Sequence, residues 1–406
     1  MKYDVIVIGA GAAGLFSALS IKNKKVLLLE KNLSPGKKLL LSGAGQCNYT
    51  NNCSTSDFLK KYGDKGRFVK TALYNFTNKH AMEFFQNDGV ISTIREDNKV
   101  FPNSFIASDI LDVLVKCCKE NKTEIIYNEA AEKISFDEKS KLFFVKTSKN
   151  FYASEKLIIT SGGKSYANTG STGDGYVFAK SMGHKITEPK QALAPVYVEN
   201  YKFKNLSGIS FENIRITLWR NNKKINEFAG DLLLTHVNIS GPVILNNSRY
   251  IEKGDILKIN FTQFSNAEEF RKYFENTIIN SGKLNVKTVL KQLDVPKRFI
   301  DRIMELANVE DDKICSQLDK NSRKKLTEFL SDHSVKVEKL GDFNIAMVTK
   351  GGISTDEINS KTMESKIVPG LYFAGEVIDY DGDTGGFNIQ AAFSTGKLAA
   401  DSINKD

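Results

Sequence analysis

Apolar positions along this chain follow two different periods, and the pattern switches twice. Residues 3–8 (YDVIVI) form a continuous β-branched run, which predicts a strand buried on both faces of a parallel sheet. A small-residue helical pattern over 10–21 and a second apolar run at 25–29 (KVLLL) complete a βαβ unit. Gly, Ser and Asn dominate 35–52, which predicts loop. Helical patterns follow at 68–85 and 108–120, then strands at 124–127, 133–136 and 142–147. A buried strand at 156–160 (KLIIT) runs into Ser161-Gly162-Gly163. Near Pro189 the character changes. From 194 to 264 apolar positions alternate, with short strands at 214–219, 232–234 and 257–261, which predicts an antiparallel sheet or small barrel. From 267 to 331 the period is helical, with start signals at Asn266/Glu269 and at Pro296. After Ala346 a strand (370–374, GLYFA), an acidic glycine-rich loop (375–386) and a helix (388–403) restore the α/β pattern.

The predicted organisation is an α/β domain made of 1–193 and 340–406. Its insert is a β-barrel-like part, 194–265, followed by a helical part, 266–339. A chain of 406 residues is long enough for two or three domains. Hydrophobic residues at 41% allow a sizeable core and exclude disorder. The net charge of +9 raises the question of nucleic acid or anionic membrane. Lys and Arg are spread along the chain without a like-charged block, which reads as a solvated surface, so neither partner is expected. Five cysteines, odd in number and irregularly spaced, point to a reducing compartment. No stretch reaches the roughly 18 apolar residues needed to span a bilayer, so a soluble cytoplasmic protein is expected.

Gly9-x-Gly11-x-x-Gly14 follows the first strand and opens the first helix, and Glu30 closes the second strand. In such a fingerprint the first glycine makes the turn and the second admits a pyrophosphate close to the backbone. The third lets helix and strand pack, and the acidic residue accepts from the adenosine ribose. The helix N-terminus adds free N–H groups and partial positive charge. Gly9, Gly11, Ala12, Ala13 and Gly14 are therefore expected to hold phosphates. The second glycine-rich strand-loop-helix, Gly375-Glu376 followed by Gly385-Gly386-Phe387-Asn388, favours FAD over NAD. An extended FAD would meet the first βαβ unit with its adenine end and the late helix with its flavin.

The stretches VIVIGAGAAGLFSA, GKKLLLSGAGQCNYTN, VFPNSFIASDIL, TSGGKSYANTGSTGDGY, THVNISGPVIL, TKGGIS and GLYFAGEVIDYDGDTGGFNIQAAFSTG run through nearly the whole chain. Together they resemble the HI0933/BaiN-like group of bacterial NAD(P)/FAD-dependent oxidoreductases. The resemblance implies an FAD-binding Rossmann-like, three-layer domain with a split insert, part β-barrel and part helical. It implies Ala13 and Gly14 beside the pyrophosphate, Glu30 and Lys31 beside the adenosine, and Ala131 on the adenine side. Lys37, Gly45, Gln46 and Cys47 would line the cofactor channel. Gly162, Gly163, Glu376, Asp379, Gly386, Asn388, Ile389 and Gln390 would reach the ribityl chain and flavin. Two positions depart from the family: Gln46 stands where Arg is usual, and Asn238 where Gly is usual.

The chemistry this implies is hydride transfer from NAD(P)H through flavin to an organic acceptor, such as an enone or steroid-like double bond. A second Gly-x-Gly-x-x-Gly is missing, so the nicotinamide is expected as a transient donor. Three other readings stand beside it: an FAD-dependent nucleic-acid modifying enzyme, a flavin-disulfide reductase using Cys47 and Cys53, and a non-catalytic flavin protein that binds a partner. Cys47 and Cys53 are spaced Cys-x5-Cys rather than Cys-x4-Cys, so Cys47 is expected to pack against the cofactor. His236 in THVNISGP is the other candidate acid or base. One of Lys37 and Lys38 is expected on the pyrophosphate. Asp379, Asp381 and Asp383 are expected beside the flavin and not on a metal.

Overall fold

Val5, Ile6, Val7 and Ile8 are all buried, so β1 (Lys2–Ile8) lies where its β-branched run demands, inside a sheet. The computed structural model describes residues 1–405. They fall into two units, one built from 1–192 and 343 onward, the other from 193–342. In chain order the first unit continues with α1 (Ala12–Ser20), β2 (Val26–Leu29), α2 (Lys37–Leu41), β3 (Thr50–Asn51), α3 (Thr55–Lys60), α4 (Gly66–Asn75) and α5 (Asn78–Asn87). Then come β4 (Ser92–Ile94), β5 (Lys99–Pro102), α6 (Ala107–Glu120), β6 (Glu124–Ile126), β7 (Ala131–Asp137), β8 (Leu142–Thr147), β9 (Phe151–Ile159), α7 (Asp174–Ser181) and β10 (Ile186–Ala192). The second unit carries β11 (Val196–Val198), β12 (Ser210–Arg220), β13 (Lys223–Leu234), β14 (Ile239–Ser240), α8 (Pro242–Leu245) and β15 (Ile256–Asn260). It ends with α9 (Ala267–Asn280), α10 (Val286–Leu290), α11 (Lys297–Ala307), α12 (Lys320–Ser331) and β16 (His333–Leu340). The chain then returns to the first unit through β17 (Val348–Ile353), β18 (Leu371–Phe373) and α13 (Phe387–Ile403).

The main sheet runs β6-β2-β1-β9-β8-β7, with β18 also paired to β9. Strands β6, β2, β1, β9 and β18 are parallel, whereas β8 and β7 are antiparallel. The burial of β9 shows both regimes. It alternates near Phe151–Ser154, opposite β8, and is continuous over Leu157–Ile159, opposite β18. Strands β10 and β17 pair antiparallel and set Ala192 opposite Val348, joining the two segments of this unit. A small sheet, β3-β5-β4, lies beside the main one in sequence between α2 and α6. Helix α13 packs on α1 through small residues: a Cβ at Gly396 would come 2.7 Å from the Ala13 carbonyl oxygen.

Two sequence expectations need correction here. The stretch 35–52 is not plain loop: it holds α2, a 3-10 turn at Ser42–Gly45, and β3. The helical pattern at 68–85 is two helices. Phe76 is extended, and Thr77 caps α5 in a reciprocal box with His80.

The second unit is a closed barrel in the order β11-β14-β13-β12-β15-β16, with α9 to α12 supplied between β15 and β16. The helical part was expected to run to 339, but His333–Leu340 forms the strand that closes the barrel against β15 and β11. Barrel and helices share one core, for Phe261 beyond β15 meets Phe299 of α11 at 4.6 Å between ring centroids. The usual glycine is not required at Asn238. The Thr235 hydroxyl donates to the Asn238 Oδ1 (2.7 Å) and the Thr235 N–H to the Asn238 carbonyl (3.0 Å), which closes the turn. No helix among the described residues is long and apolar enough to cross a membrane.

Candidate cofactor site

The fingerprint turn is held by backbone contacts that leave one face open. Gly9 adopts φ +101° and its N–H donates to the Leu29 carbonyl (2.8 Å). The Thr160 hydroxyl braces the turn on the carbonyls of Ile8 (2.8 Å) and Gly9 (2.9 Å). A Cβ at Gly14 would fall 1.9 Å from the Gly9 carbonyl oxygen, so only glycine packs there. A Cβ at Gly11, by contrast, would meet nothing within 4 Å. Gly11 is also the N-cap of α1 and caps it with no side chain, so the first N–H groups of α1 face that open side. Ala12 is half-buried, Ala13 buried.

Glu30 ties this turn to the segment after β2. Its Oε2 accepts from the Ala10 N–H (2.8 Å) and its Oε1 from the N–H (2.8 Å) and Nδ2 (2.7 Å) of Asn32. A carboxylate oxygen offers two lone pairs, so Glu30 keeps acceptor capacity for a ribose. The segment before Ala131 runs alongside: Glu129 N–H donates to the Glu30 carbonyl (3.0 Å) and Asn128 N–H to the Asn32 carbonyl (2.8 Å). Lys31 is already engaged, pairing with Asp174 (2.6 Å) and donating to the Thr172 hydroxyl (2.5 Å).

The two lysines of α2 separate. Lys38 pairs with Glu376 (2.6 Å), whose other oxygen accepts from the Thr349 N–H (2.9 Å). Lys37, half-buried, has no such partner among the described residues. Asp379 accepts from Lys65 (2.9 Å), and Asp383 lies 3.8 Å from Lys61, so lysines supply the cations around the acidic loop. Gly162 adopts φ +74°, and a Cβ at Gly163 would press into Thr349 and Glu376.

The late helix begins at a second exacting turn. Gly386 adopts φ +92° and caps α13 with no side chain; a Cβ there would fall 2.3 Å from the Thr50 carbonyl oxygen. A Cβ at Gly375 would approach Ala13 at 2.7 Å, so the two glycine-rich turns meet. Phe387 is buried edge-on against Phe58 at 4.8 Å, and its carbonyl accepts from the Tyr62 hydroxyl (2.7 Å). Two expected flavin contacts use their side chains elsewhere. The amide of Asn388 bonds the backbone of Gly382 at both ends (2.8 and 2.9 Å). Gln390 is fully buried, accepting from Thr50 (2.6 Å) and donating to the Phe76 carbonyl (3.0 Å). What Asn388, Ile389 and Gln390 offer a cofactor is thus the uncapped helix start and the half-buried Ile389 side chain.

The candidate catalytic residues fare unequally. Cys47 takes φ +57° and is fully buried, and that burial pushes its thiol up to about 12. Cys53 is half-buried, unbonded to Cys47, and its thiol is also raised by burial. Neither is a ready thiolate nucleophile. His236 is exposed in a turn of the second unit, outside the unit that carries the expected cofactor residues. Asp88, Cys117 and Glu120 come close enough to hold a metal, yet Lys116 already occupies their midst, 3.1 Å from Asp88. Sequence reasoning missed Thr349, Lys65 and Asp174, which no local signal marks. It also missed Arg95, whose Nη2 donates to the Gln46 Oε1 (2.8 Å), so a guanidinium does stand beside position 46.

These residues fit an extended dinucleotide. The side-chain-free start of α1 faces open ground, Gly45 (φ +86°) has nothing within 4 Å of its Cβ position, and two buried hydroxyls, Ser161 Oγ and Tyr176 Oη, lack a partner among the described residues next to Gly162 and Gly352. The model of the HI0933-like protein Rossmann domain matches residues 3–402. The ribosomal RNA dihydrouridine synthase of Escherichia coli (strain K12) is 30% identical over 405 residues, 99% of this chain and 98% of its own. The protein of the same name from Haemophilus influenzae is 33% identical over 408 residues, 98% of each chain. The 3-dehydro-bile acid delta(4,6)-reductase of Clostridium scindens is 28% identical over 403 residues, 97% of each. Among solved structures, the 3-ketosteroid-delta4-(5alpha)-dehydrogenase of Rhodococcus jostii RHA1 shares the fold. Its TM-score is 0.54 at 13% identity, over 100% of this chain and 97% of that one.

Proposed function

The chain belongs to the HI0933-like Rossmann-domain family of FAD-dependent oxidoreductases, and from that premise we propose that it reduces a carbon–carbon double bond conjugated to a carbonyl, with a uracil ring in RNA as the acceptor. FAD, once bound, supplies hydride transfer to such a bond. The C5=C6 bond of uracil and the unsaturated ketone of a steroid are the same functional class, so one site design serves both kinds of relative. The observation that carries the RNA reading is full-length identity of 30 and 33% to two proteins named for dihydrouridine synthesis, against 28% for the bile-acid reductase. The +9 charge, read from sequence alone as solvated surface, agrees with an anionic substrate.

In this reading Gly11 and the start of α1 hold the pyrophosphate, Glu30 the adenosine ribose, and the start of α13 the flavin edge. NAD(P)H is the proposed electron donor and visits without a fingerprint of its own. A steroid-like enone is the second reading, favoured by the Clostridium scindens relative.

The test is anaerobic. The purified flavoprotein is mixed with NADH or NADPH and then with unmodified ribosomal RNA or with a steroidal enone. Digested RNA is assayed for dihydrouridine by mass spectrometry. Dihydrouridine is the expected product. Reduction of the steroid with unaltered RNA would transfer the assignment to the second reading.

A further inference from the structure

Arg95 stands at the turn from β4 to β5, where its N–H donates to the Lys99 carbonyl (2.9 Å). It is exposed, yet it is held firmly. Its guanidinium lies 4.2 Å from the centroid of the buried Phe101 ring and 5.3 Å from that of Phe105, and Nη2 is fixed on Gln46. Phe105 keeps its ring there from a left-handed backbone, φ +55°, that a phenylalanine adopts only against steric cost. Among the described residues no carboxylate comes within ion-pair distance of Arg95, although Asp97 lies near enough to feel its charge. Asp97, the nearest in sequence to form an ion pair, is engaged by Lys99 (2.5 Å). One of five guanidinium donors is used by protein, and the rest of the fork is presented to solvent.

A planar, stacked fork without an ion-pair partner of its own matches a phosphodiester, which it can grip at two oxygens. Its position suits a substrate contact. Gln46 belongs to the loop after α2, and β3, which pairs with β5, reaches the start of α13: Thr50 donates to Gln390 and Asn51 Nδ2 to the Gly385 carbonyl (3.1 Å). The surrounding sequence is the basic part of the chain. Residues 1–100 contain fifteen Lys and Arg against eight Asp and Glu, seven of the nine excess positive charges. We propose that Arg95 binds a phosphate of the RNA backbone next to the uridine being reduced, and so positions the substrate strand; this rests on the RNA reading above.

Arg95→Ala and Arg95→Lys are assayed on ribosomal RNA over a salt series, with flavin content and anaerobic bleaching by NAD(P)H measured on the same preparations. For Arg95→Ala, KM for RNA rises about ten-fold with kcat preserved. The slope of log affinity against log salt falls by about one. Arg95→Lys restores the slope but only part of the KM, because lysine lacks the fork. Flavin content and bleaching match the wild type. Unchanged KM and slope in Arg95→Ala would overturn the assignment, and so would lost flavin or slowed bleaching, which would make Arg95 a cofactor or nicotinamide contact. A wild-type protein that forms no dihydrouridine fails at the functional reading. A wild type that forms it, matched by Arg95→Ala, fails at this assignment alone.

Discussion

Cys47 shows how burial overrides a suggestive position. It lies in the glycine-rich loop after α2, where a reactive thiol would be well placed, yet it is sealed from water and its thiol is raised to about 12. At neutral pH such a group is a small apolar side chain. Cys47→Ser is therefore expected to keep bound flavin and turnover, at about 1 kcal/mol of stability for burying a hydroxyl in place of a thiol. Flavin absorbance and a thermal melt check this; abolished turnover with flavin retained would restore a redox thiol. The contrast with Gly14 explains what single residues reveal in sequence. Gly14 was legible because a Cβ there would strike the Gly9 carbonyl, a demand made by the adjoining backbone. The pairs Lys38–Glu376 and Lys65–Asp379 were not, because partners more than 300 residues apart share no local signal. Arg95, one arginine beside two acids, reads in sequence as ordinary solvated surface.

Strand β16 carries the clearest pH-sensitive group among these elements. His333 opens it and is buried against Phe203 (5.0 Å), Phe329 (5.4 Å) and Phe261 (6.2 Å), with Lys202 adding repulsion. Burial first, then Lys202, lowers its pKa to about 4 from the ordinary 6.5. Between these values the unfolded chain binds the proton and the folded barrel does not, so stability falls as pH drops from about 6.5 towards 4. The full loss is about 3 kcal/mol. Urea titrations from pH 7 to about 4.5, followed through the fluorescence of Trp219, the one tryptophan of the chain and a β12 residue, should show this slope. His333→Phe should flatten it; an equal slope in the variant would assign the effect to carboxylates instead. The strand itself was hidden in sequence for a physical reason. Its buried positions, His333 and Val337, are separated by Ser334, half-buried Val335 and Lys336 and follow directly on α12, so neither an apolar run nor a clean alternation marks it. Strands β1, β2 and the end of β9 were plain because parallel strands buried on both faces leave unbroken apolar runs.

At the scale of the whole chain, the first and last segments make one unit, which carries every residue assigned here to the cofactor, and the middle makes a unit with its own interior. The two hydrophobic cores have no residue in common: one spans Tyr3 to Ala179 and Ile353 to Ile403, the other Val196 to Val337. The sequence shows this return because a second glycine-rich turn follows a second buried strand; strand order it does not show, since β18 joining β9 across more than 200 residues is a long-range pairing. The chain leaves and re-enters the first unit at neighbouring points, Ala192 lying opposite Val348 in the β10–β17 pair. A short Gly/Ser linker from Ala192 to Phe343 can therefore replace 193–342 without stretching that pair. Every residue assigned here to the cofactor lies outside the deleted segment. The shortened protein should fold and bind FAD, retaining Lys38–Glu376 and Lys65–Asp379 as ties between its two segments. Flavin absorbance after gel filtration, with circular dichroism to establish folding, decides the matter. A folded but colourless product that takes up no added FAD would mean that the inserted unit holds part of the cofactor, and the division of labour drawn here between the two units would be wrong.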